Sequence, residues 1–332
     1  MEKNAEKLLE IKNLQTSFRI EGSYYAAVDN ITTDVYKDEV FAIVGESGSG
    51  KSALALSITR LLNPNFSKIE GEVLFEGKNI LSLTQSELSS VRGAGIGMIF
   101  QDPLSALNPL MKIGAQIEEV LTYHTKFNAE QKKKRAIELL NQVQMTNPEL
   151  TYNQFPHELS GGMRQRAMIA IAIAAKPKLI IADEPTTALD VTIQAQILDL
   201  LRELKEETGA SIIIITHDLG VVAEMADRVA VMYAGQIVEL ADVNSLFKNP
   251  KHPYTRSLLD AMPTANDDNE RLHSIQGIVP PLQFMPRAGC RFAPRIPWIP
   301  ASSHEEKPTY YEVSENHKVL CTCFRNFTLN ND

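Results

Sequence analysis

Leu159-Ser160-Gly161-Gly162-Met163-Arg164-Gln165-Arg166 decides the fold, through what it starts and what it precedes. Ser160 is a good N-cap residue, because its hydroxyl can accept a hydrogen bond from an N–H that the first helical turn leaves unpartnered. The chain beyond it is rich in Ala and Ile and meets no breaker until Pro177, which predicts a helix over 163–176. Gly161 and Gly162 keep that helix start open, so a phosphate can approach its N–H groups closely. Lys178-Leu179-Ile180-Ile181-Ala182 then forms an apolar run too continuous for a strand with one wet face, and it reads as a buried strand. It delivers Asp183 and Glu184 at its C-terminal end, where open parallel sheets place their ligands.

Far upstream, Gly45-Glu46-Ser47-Gly48-Ser49-Gly50-Lys51-Ser52 lies between the apolar run Val40-Phe41-Ala42-Ile43-Val44 and the apolar-periodic Ala53-Leu54-Ala55-Leu56. That order is strand, loop, helix. The glycines allow the backbone to wrap a phosphate with its N–H groups pointing inward, and the helix start adds partial positive charge. Lys51 is expected to reach the β- and γ-phosphate oxygens of ATP, and Ser52 to place its hydroxyl on Mg²⁺. Asp183 is then a Mg²⁺ partner, direct or through water, and Glu184 the general base for an attacking water. An acidic pair is ordinarily a solvated turn. The strand before it and Pro185-Thr186-Thr187-Ala188-Leu189-Asp190 after it favour the catalytic reading.

Composition narrows the partners. The chain has 332 residues, 44% of them apolar, and a formal charge of −8, without the basic bias expected of a nucleic-acid binder. Neither a signal-peptide pattern nor an apolar run long enough to span a bilayer is present; the densest, Met168 to Ala175, reads as a buried helix. A soluble or peripheral protein is expected, with any membrane role borrowed from partner subunits. Three cysteines, Cys290, Cys321 and Cys323, all fall late and offer no disulfide framework, which suits a reducing cytoplasm.

Residues 8 to 44 read as antiparallel strands: Leu9 to Leu14, Ala26 to Val28, and Ile31 to Tyr36. From Asp102 to about Gln154 helical periodicity takes over, as in Ile113, Ile117, Val120 and Leu121. Gln101 sits at the entrance to that region, after Met98-Ile99-Phe100. Its amide can accept from a Mg²⁺-bound water and donate to a neighbouring carbonyl, and so report phosphate occupancy to the segment it tethers. His217 follows the buried-strand pattern Ser211 to Thr216, where an imidazole can hydrogen-bond the γ-phosphate. Beyond about Asn249 proline becomes frequent and periodicity weak, which reads as a loop-rich extension.

Gly45 to Ser52, Gln101, Leu159 to Gln165, Ile180 to Glu184, Ala188-Leu189-Asp190 and His217 occur in the order of an ATP-binding-cassette (ABC) ATPase, which this chain resembles over essentially its whole length. Finer details resemble the ATP-binding subunits of oligopeptide and dipeptide importers: Phe100-Gln101-Asp102-Pro103-Leu104-Ser105-Ala106-Leu107-Asn108-Pro109, Pro156-His157-Glu158-Leu159, and His252-Pro253-Tyr254-Thr255 with Leu258-Leu259. Nickel and other small-solute importers of the same branch share them. The resemblance implies an α/β P-loop fold with a RecA-like core, an antiparallel β subdomain, a helical subdomain at about 102–165, and an extension over 251–332 following an ATPase domain over 1–250. It implies Mg-ATP as ligand, with the whole loop Gly45, Glu46, Ser47, Gly48, Ser49, Gly50, Lys51 and Ser52 around the phosphates, and Gln101, Ser52 and Asp183 toward the metal.

Phe18 matches the aromatic that stacks on adenine in the family, with Tyr24 and Tyr25 competing. Ser160, Gly161, Gly162 and Gln165 are expected to contact ATP held by a second ATPase subunit, and Asp190 to contact that subunit, a role compatible with capping a helix. Such a machine, a heterodimer of ATPases on two transmembrane permease subunits served by an extracellular peptide-binding protein, works at the cytoplasmic face of the membrane. The alternatives are a nickel or other small-solute importer, or a non-transport ABC ATPase. Finally, relatives carry four late cysteines resembling an iron–sulfur ligand set. Here Cys290 and Cys321 match the outer two while Ile296 and Ser303 stand at the inner two, so loss of the cluster is expected. Cys323, His304 and His317 remain candidate substitutes.

Overall fold

The computed structural model describes residues 6–187, 189–262, 275, 277–296, 299–320, 322 and 323. They divide into two compact units: one gathers 82–215 with 35–38 and the described part of 1–8, the other 9–34, 39–81 and the described part of 216–332.

The first unit is built on three parallel strands. Leu179–Asp183 lies in the middle, paired on one side with Ile96–Ile99 and on the other with Ser211–Thr216. Every residue of the middle strand is buried, as its unbroken apolar run requires. A large-to-small change such as Ile181→Ala there costs about 2–5 kcal/mol.

The helical region follows: Ile113–His124, Ala129–Gln142, Pro148–Asn153 and Gly161–Ile173. Ala129–Gln142 starts with a capping box in which Asn128 and Gln131 satisfy each other's backbone N–H at 2.9 Å. Arg166, buried in Gly161–Ile173, ties this region together by donating to the Val143 carbonyl at 2.8 Å and to Gln196 at 2.9 Å. The 163–176 helix expectation is shifted by two to three residues, because the Ser160 cap starts it at Gly161 and Ala174 is its C-cap.

The second unit holds a four-stranded antiparallel sheet in the order Ser23–Tyr36, Lys7–Ile20, Ser67–Phe75, Lys78–Asn79. The first 44 residues hold two 14-residue strands where shorter segments were expected. Asn13, inside the expected strand Leu9 to Leu14, and Asn30, between two expected strands, both sit within them at φ 47° and 55°. Asn tolerates the left-handed region, so the strands absorb both as local irregularities.

The unit's other sheet pairs Val40–Val44 in parallel with Arg228–Tyr233, which continues antiparallel into Gln236–Asp242. The extension then adds two more strands: His317–Val319 pairs with Gln236–Asp242, and Tyr311–Ser314 with His317–Val319. That hairpin went unread, its strands being only four and three residues long. Buried Glu239 fastens it, accepting from the N–H groups of Lys251 and His252 at 2.7 and 2.8 Å and lying 2.7 Å from His317 Nε2. A buried carboxylate with three partners is satisfied where a lone one is costly. Among the described residues, no helix is long and apolar enough to cross a membrane.

Candidate functional site

Two groups of residues carry the chemistry, one in each unit. In the second unit the strand Val40–Val44 runs into the loop Gly45 to Gly50, which opens the helix Lys51–Ile58. Sterics explain two of its glycines. A Cβ on Gly45 would lie 2.1 Å from the Met232 carbonyl oxygen, and one on Gly50 2.4 Å from that of Ala27, with Gly50 at φ 102° besides. Lys51 is buried, its ammonium donating to the carbonyls of Gly45 and Glu46 at 2.7 and 3.0 Å. Ser49 is buried, Ser52 half-buried, and Ser47 and Gly48 are exposed at the loop tip.

His217, also in this unit, is exposed directly after Thr216, whose hydroxyl accepts the Asp218 N–H at 3.0 Å. Phe18 is half-buried opposite Ser67, and Tyr24 is 49% exposed, so Tyr24 leaves more of its ring available for stacking.

In the first unit, Asp183 ends its strand buried, and Glu184 turns out of it at φ 46°. A non-glycine residue in that region costs about 1–2 kcal/mol, and hydrogen bonds to Ile215, Thr187 and Gln101 hold it there. The Glu184 N–H donates to the Ile215 carbonyl at 2.8 Å. Its carboxylate accepts from the Thr187 hydroxyl at 2.8 Å and from Gln101 Nε2 at 3.1 Å. The fold therefore brings Gln101 and Glu184 together, and adds Thr187, which sequence reasoning missed because nothing local marks its hydroxyl as aimed.

The segment Leu159 to Gln165 lies in the same unit. Ser160 Oγ accepts from the Met163 N–H at 3.3 Å, and Asp190 caps the helix Val191–Thr208 by accepting from Ile193 at 3.0 Å. Both helix starts open onto one cavity of about 520 Å³ lined by Ser160, Gly161, Gly162, Arg166, Asp190 and Gln196. Ser160 and Gly161 are exposed there, whereas Gln165 is buried. The donors read for Mg²⁺, a Ser hydroxyl, a carboxylate and an amide oxygen, are hard oxygens of the kind that ion takes.

The chain matches the ABC transporter family over residues 28–187 and the oligopeptide/dipeptide transporter C-terminal region over 238–298. It is 52% identical to the oligopeptide transport ATP-binding protein OppD of Lactococcus lactis subsp. cremoris (strain SK11), covering 97% of this chain and 96% of that one. It belongs to the ATP-binding subunits of oligopeptide/dipeptide ABC transporters.

A second such subunit, OppD of Bacillus subtilis (strain 168), is 52% identical over 94% of this chain and 88% of its own length. The dipeptide transport protein DppD of Lactococcus lactis subsp. cremoris (strain MG1363) is 50% identical over 94% and 89%. Among solved structures, the ATP-binding cassette MJ0796, a dimer bound to ADP and Pi, aligns with a TM-score of 0.64 at 31% identity over 71% of this chain and 98% of that one. This ABC subunit is thus an ATPase of the mixed α/β cassette fold, with its antiparallel β subdomain and helical region.

The iron–sulfur positions do not fit a four-thiolate cluster. Ile296 is buried and has no ligand atom, Ser303 is half-buried, and Cys290 is half-buried. Cys321 lies outside the described residues. Of the candidate substitutes, the Cys323 thiol lies 3.3 Å from His304 Nδ1 and donates to the Ser303 carbonyl at 3.4 Å, while His317 is engaged by Glu239. Burial lowers the pKa of His304. Among the described residues no group of three or more His, Cys, Asp or Glu is gathered as a metal site.

Proposed function

We propose that this subunit binds Mg-ATP on Gly45 to Ser52 and hydrolyses it to drive the import of oligopeptides or dipeptides. The observation that carries the reading is identity of about half over nearly the full length with oligopeptide and dipeptide transport subunits, extension included. The domain division that goes with it is an ATPase domain over 1–250, with the helical subdomain at about 102–165, and an extension over 251–332.

Hydrolysis is chiefly positioning and electrostatics. Lys51 and the loop N–H groups hold the β- and γ-phosphates. Glu184, aimed by Gln101 and Thr187, takes a proton as the water oxygen bonds to the γ-phosphorus, and the bond to the β-phosphate oxygen breaks. His217 holds the γ-phosphate and the water in line. Ser52, Gln101 and Asp183 would hold Mg²⁺, which would neutralise phosphate charge. Phe18, or Tyr24 in its place, stacks on adenine.

Ser160, Gly161, Gly162 and Gln165 act on ATP held by a second ATPase subunit. The cavity shared by Ser160 and Asp190 and the dimeric state of MJ0796 support that pairing. We read the partner as a different ATPase chain, the pair docked on two permease subunits at the cytoplasmic face and served by an extracellular peptide-binding protein. The iron–sulfur cluster is absent, and packing together with the bonds of Glu239, Arg291 and Arg295 holds the extension.

Reconstitution with its membrane subunits in proteoliposomes tests the function. ATP-driven uptake of a labelled tripeptide is expected. Uptake of nickel with no uptake of di-, tri- or longer peptides would replace this reading with the small-solute alternative.

A further inference from the structure

We infer that Arg295, together with Tyr254, positions the phosphate loop by neutralising and aiming Glu46, so that a residue of the C-terminal extension sets the affinity for nucleoside triphosphate. The inference rests on Gly45 to Ser52 being the ATP phosphate site.

Glu46 is held at all three of its polar groups. Its N–H donates to the Tyr254 hydroxyl at 2.8 Å, and its carbonyl accepts from Lys51 at 3.0 Å. Its carboxylate accepts a two-point fork from Arg295, Nη1 to Oε2 at 2.6 Å and Nη2 to Oε1 at 3.1 Å. Such a fork fixes direction as well as charge, which a lysine cannot do.

Arg295 is itself built in. Its side chain is 5% exposed, its Nη2 also donates to the Gly277 carbonyl at 3.1 Å, and its guanidinium lies 5.7 and 5.6 Å from the Tyr233 and Phe292 ring centres. Those two rings pack on fully buried Tyr254 with centroids 4.6 and 5.2 Å away.

A second arginine braces the same loop from behind. Arg291 donates to the Ala234 carbonyl at 2.5 Å and pairs with Asp29. The next residue, Gly235, donates its N–H to the Ser49 carbonyl at 2.8 Å and accepts from the Asp29 N–H at 2.8 Å. The aromatic trio and the two arginines thus join the extension to the loop from two sides within one unit.

The chemistry makes a prediction that bare anchoring does not. Glu46 is an anion inside a loop whose ligand is a polyanion. Paired with Arg295 it adds little net field, but unpaired it repels the phosphates, and one unscreened charge about 10 Å away weakens binding by about tenfold. Neutralising Glu46 should therefore restore what removing Arg295 takes away.

The test is equilibrium binding of ATP and ADP to the full-length chain, with thermal unfolding followed alongside. Arg295→Gln is expected to weaken ATP about tenfold and ADP less, with a defect that shrinks at high salt. The double variant Arg295→Gln, Glu46→Gln is expected to recover most of that loss, a coupling a double-mutant cycle reads directly. Equal loss in the single and double variants, or none in the single, overturns the inference. Should Arg295→Gln fail to fold, Arg295→Met, which removes the charge while keeping an unbranched side chain of similar length against Tyr233 and Phe292, is judged by the same rescue. Failure of the unaltered chain to bind ATP would instead strike the proposed function.

Discussion

The side-chain amide of Gln101 donates to the carboxylate of Glu184 at 3.1 Å, although 83 residues separate them in sequence. With the Thr187 hydroxyl on the same oxygen, two donors aim the base. Glu184→Gln keeps the shape and removes the proton acceptor. Turnover in the assembled transporter should fall roughly 10²-fold to 10⁴-fold while ATP still binds. Near-normal turnover would remove Glu184 from the role. Thr187→Val, which only loosens the aim, should lower kcat by about three- to thirtyfold and leave KM for ATP unchanged.

Gly161 offers the cleaner test of action on a partner's nucleotide. A Cβ there would lie 3.9 Å from Leu189, an ordinary contact, whereas one on Gly162 would press on Ile193 at 3.0 Å. Gly161→Gln should therefore fold normally and bind ATP as a single chain. ATP-dependent pairing and turnover in the transporter should drop at least about tenfold, as a side chain obstructs the helix start. If the single chain loses ATP as badly as Lys51→Ala does, the segment acts on its own loop instead.

Iron analysis decides the fate of the cluster. Ile296 is buried where a thiolate would have to stand, and its N–H closes a turn onto the Ala293 carbonyl at 3.2 Å. Chain purified anaerobically should carry neither iron nor labile sulfide. Near-stoichiometric amounts of both, with a broad thiolate-to-iron absorption band, would show that Cys323 or a histidine has taken over as ligand.

His124 should make stability depend on pH. Burial lowers its pKa below the ordinary 6.5, and the imidazole lies against Gly93, where a Cβ would fall 2.6 Å from Nε2. The unfolded chain then takes up the proton more readily than the folded one, so stability rises with pH up to about 6.5 and is lost as pH falls below it. Thermal unfolding from pH 7.5 to 5 should show the loss, and His124→Gln should flatten it. An unchanged slope would assign the pH dependence to other groups.

The two phosphate-facing segments were legible because their signals are local. A continuous apolar strand, a glycine loop and a helix start each lie within a dozen consecutive residues, and backbone sterics and hydrogen bonding impose that order whatever surrounds it. The same holds for Ser160 and Asp190 as caps, since each bonds an N–H three residues on.

Tertiary structure alone decided the pairings between distant residues. Arg295 and Glu46 are 249 residues apart, and no period or motif connects them until the extension folds onto the loop. The hairpin Tyr311–Ser314 and His317–Val319 depends in the same way on the strand edge at Glu239. Short strands have too few residues to show a pattern, and they form because an existing edge supplies their hydrogen-bond partners. Glu184 belongs to both accounts: its sequence position marks it as an acid at a strand end, and the long-range bonds it donates to Ile215 and accepts from Gln101 hold its backbone at φ 46° with the carboxylate aimed.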